Sequence, residues 1–300
     1  MGGSVSRRDF ILGVLALPFV PFASSDAGEA GEVSVAAARL KRLEAASGGR
    51  LGVAVLHGAS TIVTYRGNER FPLCSTWKLI AVAAVLKRSE SESGLMQKNI
   101  VYSQSDLVTY SPITKLHVAT GMTVAELCVA ALDVSDNTAG NLLMKLVGGP
   151  EAVTSFARAA GDPHFRLDRW EPDLNRAIPG DPSDTTTPIA MAGSVKRLAL
   201  GPILAHPQRN ELCEWMLSNR IGNDRMRAGA PAGWRIGDKT GSGEYGTTND
   251  VGVIWPSSGS PYVLALYYTH GKKDASPRSD VLREATRIVF DGLSSVSSEQ

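Results

Sequence analysis

From Trp234 to Thr269 the chain reads WRIGDKTGSGEYGTTNDVGVIWPSSGSPYVLALYYT, and this stretch decides the fold. Its runs Trp234–Thr240, Thr247–Trp255 and Tyr262–Thr269 are rich in β-branched and aromatic residues and are separated by glycine, serine and proline, which predicts three consecutive strands. Gly241–Gly246 has the G-x-G-x-x-G spacing of a dinucleotide loop. Such a loop opens a helix, whereas Thr247–Trp255 alternates as a strand, so the glycines read as a hairpin turn.

Two further strand signals, Leu51–Leu56 and Thr61–Tyr65, lie at the opposite end of the chain around a turn at His57–Ser60. Between the two strand regions the spacing is helical: Thr76–Lys87, Thr123–Leu132, Thr138–Leu146, Pro150–Ala160, Pro188–Leu200 and Pro207–Leu217, several opened by proline and closed by glycine. Helices are also predicted over Val33–Ala46 and Ser279–Phe290. The simplest arrangement is an α/β fold (α+β sandwich-type), with one antiparallel sheet built from both chain ends, flanking helices and an inserted all-α subdomain. The boundaries assign residues 28–70 and 218–300 to the α/β subdomain and 71–217 to the helical one, including an irregular loop over 166–184. Sites favour the seam between two such parts.

Composition excludes several classes. The chain has 300 residues, 43% hydrophobic and 20% charged, which suits a globular protein and not a disordered one. Net charge is +1 and no block of Lys or Arg occurs, so neither a nucleic-acid groove nor a basic membrane arm is indicated. Cys74, Cys128 and Cys213 permit at most one bridge, and the five histidines form no HExxH or His-x-His cluster; no metal is expected.

The N-terminus reads as an export signal over residues 1–27. Arg7-Arg8 precedes the apolar run Phe10–Phe22, which is too short to span a bilayer, and small residues follow it. Ser6–Leu12 (SRRDFIL) resembles a twin-arginine signal; a general secretory peptide is the alternative. Either places the mature protein in the periplasm or outside the cell, with no membrane segment in the mature form.

Four pieces could carry chemistry. In Ser75-Thr76-Trp77-Lys78 the amine lies one helical turn from the hydroxyl and can take its proton, although a helix cap beside a surface lysine has the same spelling. Ser135-Asp136-Asn137 precedes a helix and is equally a cap cluster. Lys239-Thr240-Gly241 ends a strand. Glu171-Pro172-Asp173-Leu174-Asn175 sits in the long irregular loop, and loops of that length are often functional.

In this order the set Ser-x-x-Lys, Ser-Asp-Asn, Lys-Thr-Gly is similar to that of class A (active-site serine) β-lactamases and penicillin-binding proteins. The resemblance runs from about Leu51 to the C-terminal helix. Glu171–Pro188 and Lys239–Asp250 look especially like extended-spectrum members. It implies a small-molecule β-lactam substrate, no cofactor and a monomer. It implies Ser75 as nucleophile, Lys78 or Glu171 as acylation base, and the backbone N–H groups of Ser75 and Ser242 as the oxyanion hole. Ser135 would relay a proton to the β-lactam nitrogen. Lys239, Thr240, Gly241 and Ser242 would bind the substrate's carboxylate end, with Arg225 adding a second charge. Asn137 would hold the acylamino side chain and Tyr110 would form an aromatic wall. Glu171, with Asn175, would activate the deacylating water, and Arg169 with Asp184 would clasp the loop.

The chain also departs from familiar patterns. The residue that would partner Cys128 in a common family disulfide is Val82, and the one that would partner Cys74 is Gly243, so neither bridge is expected. The Glu171–Pro172 bond is a candidate cis peptide. A DD-peptidase, or a sensor that acylates and stops, shares three motifs; the Glu171 carboxylate argues against both.

Overall fold

The computed structural model describes residues 1–2 and 26–296. The export signal expected over 1–27 lies almost wholly outside them. The chain runs α1 (Asp26–Ser47), β1 (Arg50–His57), β2 (Ser60–Tyr65), β3 (Phe71–Pro72), α2 (Trp77–Ser89), β4 (Asn99–Ile100), β5 (Met122–Thr123), α3 (Val124–Asp133), α4 (Asn137–Val147), α5 (Pro150–Ala159), β6 (Thr185–Thr186), α6 (Pro188–Ala199), α7 (His206–Leu217), α8 (Met226–Gly229), β7 (Arg235–Ser242), β8 (Thr248–Trp255), β9 (Tyr262–Thr269) and α9 (Ser279–Val296). Five of the strands form one sheet in the order β2-β1-β9-β8-β7, and each neighbouring pair in it is antiparallel. Both chain ends therefore meet in one sheet, through the pairing of β1 with β9.

Side-chain alternation explains why β1 and β9 read as nearly continuous apolar runs. In β1, Leu51, Val53 and Val55 join a core with Leu40 of α1 and Leu282 and Val289 of α9. Ala54 turns to the opposite face, as do Val263, Ala265 and Tyr267 of β9, and packs with the helical layer. A strand covered on both sides shows no polar alternation.

The helical layer is built around α2. Every residue from Trp77 to Leu86 is buried, so this helix is apolar around its whole circumference apart from Lys78. Each of its larger side chains contributes about 1.5–3 kcal/mol of burial free energy. Caps fix the helices beside it. Thr123 and Glu126 form a reciprocal capping box on α3, Asp136 accepts the Ala139 N–H at the start of α4, and Pro150 and Pro188 occupy first turns.

Several boundaries differ from the sequence expectation. The first helix begins at Asp26 rather than Val33. The Ser75 segment is a 3-10 turn, Cys74–Thr76, leading into α2. Strand β7 continues through Gly241 to Ser242, because Ser242 still pairs with Thr248 and the turn begins only at Gly243. Among the described residues no helix is long and apolar enough to cross a membrane.

Candidate active site

The seam between β7, an edge of the sheet, and the helical layer holds a cavity of about 360 Å³. Ser75, Tyr110, Ser135, Asn137, Asn175, Arg225, Thr240, Gly241 and Ser242 line it. Lys78, Glu171 and Lys239 stand just behind this lining, all buried. All twelve expected site residues thus converge on one place.

Ser75 is presented by the turn before α2, where helix-start amides lack intrahelical partners. Lys78, one turn on, donates from Nζ to Ser75 Oγ (3.0 Å), the Ser135 carbonyl (2.9 Å) and Asn137 Oδ1 (2.6 Å), and pairs with Glu171 Oε1 (3.0 Å). Burial holds its pKa below the usual 10.5, while the Glu171 carboxylate pulls it the other way. The room for this amine is made by Gly140 in α4: a Cβ there would lie 2.8 Å from Lys78 Cε.

Glu171 is aimed from four directions. Trp77 Nε1 donates to its Oε1 (3.1 Å) and Asn175 Nδ2 to its Oε2, while Ser75 Oγ lies 3.4 Å from Oε1. Asn141 of α4 brackets its backbone, donating to the Glu171 carbonyl and accepting the Glu171 N–H, both at 3.0 Å. The Glu171–Pro172 peptide is cis. The loop is closed at its neck by Arg166 N–H to the Thr185 carbonyl (3.0 Å) and by Arg169 Nε on Asp184 Oδ2 (2.5 Å). Asp184 also accepts the N–H groups of Asp168 and Arg169, and its carbonyl takes the Leu73 N–H (2.7 Å), which ties the loop to the turn carrying Ser75.

On the opposite wall Ser135 Oγ lies 2.9 Å from Lys239 Nζ and 3.4 Å from Lys78 Nζ. Burial holds the Lys239 pKa well below the usual lysine value, and the positive charges of Lys78 and Arg225 push the same way. Ser135 has φ of +60°, so the tight bend between α3 and α4 turns its hydroxyl to both amines. Buried Asp136 accepts the N–H groups of Ile113 and Thr114, and Asn137 binds the Thr109 and Tyr110 carbonyls through its Nδ2 and N–H. These bonds hold Tyr110, 54% exposed, at the rim. Arg225 NH1 donates to the Gly241 and Asn249 carbonyls and its NH2 to Ser242 Oγ, all at 2.8 Å. The Gly243 N–H bonds the Thr247 carbonyl, and successive residues of an antiparallel strand turn their N–H groups opposite ways. The Ser242 N–H therefore faces the open edge and the cavity.

The sequence reading did not single out Trp77, Gly140, Asn141 or Asn249. Asn141 had a legible signal, since it lies four residues after Asn137 on the same helical face. Cys74, Cys128 and Cys213 are free thiols, and a Cβ at Gly243 would meet Cys74 Sγ at 2.7 Å and the Asn175 carbonyl at 2.6 Å.

Comparison with known proteins agrees with this geometry. Residues 35–293 match the model of the β-lactamase enzyme family. The chain is 54% identical to β-lactamase OXY-1 of Klebsiella oxytoca over 256 residues, 85% of this chain and 88% of that one. It is 53% identical to β-lactamase CTX-M-97 of Escherichia coli over the same shares. Among solved structures it is similar to a β-lactamase from Desulfarculus baarsii, with TM-score 0.85, 51% identity, and 87% of this chain and 98% of that chain covered. A β-lactamase from Burkholderia phymatum gives TM-score 0.86 at 49% identity, covering 88% and 99%.

Proposed function

Because the chain belongs to the β-lactamase enzyme family, as a class A member of extended-spectrum type, we propose a division of labour among its residues for the hydrolysis of penicillins and cephalosporins. It is a serine β-lactamase, a hydrolase of the kind that confers antibiotic resistance. The observation that carries the assignment of roles is the contact of Glu171 Oε1 with both Lys78 Nζ (3.0 Å) and Ser75 Oγ (3.4 Å).

A β-lactam is a strained amide bearing an anion. Its carboxylate docks on Lys239, Thr240 and Ser242, with Arg225 adding charge, and its acylamino arm on Asn137 and Tyr110. Ser75 Oγ attacks the carbonyl carbon, and its proton leaves to one of the two groups within reach, Lys78 at 3.0 Å or Glu171 at 3.4 Å. To accept it, Lys78 Nζ must first give up a proton of its own, which its burial eases and the Glu171 carboxylate opposes. The oxyanion sits between the N–H groups of Ser75 and Ser242, where each donor contributes about 10²–10³ in rate. The C–N bond breaks, and the nitrogen takes a proton from Ser135 Oγ, which regains one from Lys78 Nζ at 3.4 Å, so that the proton removed from Ser75 ends on the leaving nitrogen.

The acyl-serine ester is then opened by water. Glu171 removes the water's proton, Asn175 helps hold that water, and Ser75 leaves with its proton restored. This step separates a hydrolase from an inhibited target. Export through residues 1–27, by a twin-arginine or general secretory route, to the periplasm or the medium completes the reading; N-terminal sequencing of the mature protein checks it. Every group in the mechanism comes from one chain, so a monomer suffices.

The test is nitrocefin turnover by the wild type and by Glu171→Ala. The wild type turns over many equivalents. The variant gives a one-equivalent burst and a stable acyl-enzyme by mass spectrometry. Undiminished steady-state turnover in Glu171→Ala would remove Glu171 from deacylation.

A further inference from the structure

Behind the Ser135 segment, α3 and α7 enclose a second cavity of about 440 Å³, in the size range of small-molecule sites. Its walls are mostly apolar, with Val129 and Ala130 of α3 facing Trp215 of α7. Its charged members do not balance. Arg220, whose side chain is largely exposed, is paired with Asp133, with Nε and NH2 at 2.7 and 2.5 Å from Oδ2. Glu126 is held by its capping box at Thr123, and exposed His117 faces Glu126. One carboxylate is left over, since Asp133 is paired with Arg220 and its second oxygen is buried out of reach of the cavity. Glu211 is half-buried and, among the described residues, has no ion pair or hydrogen bond; burial alone raises its pKa.

Glu211 is an unpaired carboxylate in partly apolar surroundings, which is costly, and pairing it with a weakly hydrated cation offsets that cost. Asp133 and Ala130 also lie in the last turn of α3, where the helix dipole is negative and favours positive charge. Trp215 supplies a ring on which a flat cation can stack. We propose that this cavity is a binding site for a small aromatic or aliphatic organic cation, whose amidinium or ammonium group pairs with Glu211 while its apolar body lies on Trp215 and Val129. The site is separate from the catalytic cavity, which Lys78, Lys239 and Arg225 make cationic, so the two take ligands of opposite charge. An occupant would sit at the end of α3, two residues from Ser135.

Benzamidine is the probe, with benzamide as its neutral isostere. Thermal melts of the full chain are followed as each is titrated in. Benzamidine should raise Tm saturably and benzamide should not. In Glu211→Gln, which removes an unpaired charge and keeps the side-chain shape, benzamidine affinity should fall by about tenfold or more, as loss of a hydrogen bond to a charged group implies. Val129→Phe, which fills the cavity without touching any charge, should abolish the shift. The proposal is overturned if benzamidine gives no shift in the wild type, if Glu211→Gln binds it equally well, or if it inhibits nitrocefin hydrolysis competitively.

Discussion

Lys239 Nζ and Ser135 Oγ meet at 2.9 Å across the seam between the sheet and the helical layer. The contact places a serine hydroxyl between two buried amines, since Lys78 Nζ reaches the same oxygen at 3.4 Å. Ser135 stands at φ +60°, a conformation glycine adopts freely. Ser135→Gly should therefore keep folding stability within about 1 kcal/mol while kcat/KM for nitrocefin falls by about 10²–10⁴-fold, the usual weight of a positioned proton donor. Urea unfolding and steady-state kinetics on one preparation check both halves. A matching loss of stability would assign the hydroxyl a structural role.

The same contact predicts a pH profile. Lys239 works protonated, and it faces Lys78 and Arg225, which lower its pKa, and Asp238 and Asp250, which raise it. Burial and the two cations win, so its proton is lost at lower pH than from an ordinary lysine. The alkaline limb of kcat/KM should fall below pH 10.5, the ordinary value. In Lys239→Arg the guanidinium keeps its proton, and the limb should move to higher pH. A limb that stays put in the variant would assign it to another group.

The central strands were legible because they are covered on both faces, and the residues that touch substrate were legible because their spacing is local. Ser75 and Lys78 lie on one turn, and Ser135 to Asn137 are consecutive. What escaped depends on contacts between distant segments. Ser242 looked like part of a glycine turn, yet pairing with Thr248 keeps it in β7. Gly140 looked like an ordinary helical glycine, a mild liability, until α2 was laid against it. Asn141 gained meaning only when the loop folded back to place the Glu171 peptide beside it.

Gly140 sets two effects against each other. Alanine in a helix interior gains at most about 1 kcal/mol over glycine. Here its Cβ would lie 2.8 Å from Lys78 Cε and 3.2 Å from two ring carbons of Trp77, and overpacking of a buried helix pair costs about 1–3 kcal/mol. Gly140→Ala should thus destabilise by up to about 2 kcal/mol net, and it should lower the acylation rate because the displaced amine is the one bonded to Ser75. Stopped-flow acylation with urea melts checks this. A stabilised, fully active variant would show that α2 and α4 yield at no cost.

Asp184 is 1% exposed and is bound by Arg169 and by two backbone N–H groups. Asp184→Ala leaves Arg169 with Asp181 but removes the charged acceptor from two backbone N–H groups and from Nε, and should cost about 1.5–3 kcal/mol. The loop carries Glu171 and not Ser75, so deacylation should slow more than acylation. Burst amplitude against steady-state rate measures the split; equal losses in both steps would mean that the clasp supports the whole seam.

Asn141 offers the sharpest separation of the two chemical steps. Its amide makes both backbone bonds that hold the Glu171 peptide, yet it touches neither Ser75 nor Lys78. Asn141→Ala removes two hydrogen bonds, each worth about 0.5–1.5 kcal/mol, so the carboxylate should lose aim by roughly 10–100-fold in the deacylation rate constant. Acylation should change by less than about tenfold, because Lys78 remains 3.0 Å from Ser75 Oγ and is closer than Glu171 at 3.4 Å. Pre-steady-state kinetics should then show a burst with accumulated acyl-enzyme and a lowered KM. If acylation falls as far as deacylation, the proton of Ser75 leaves through Glu171, and Lys78 is left to supply the field that steers it.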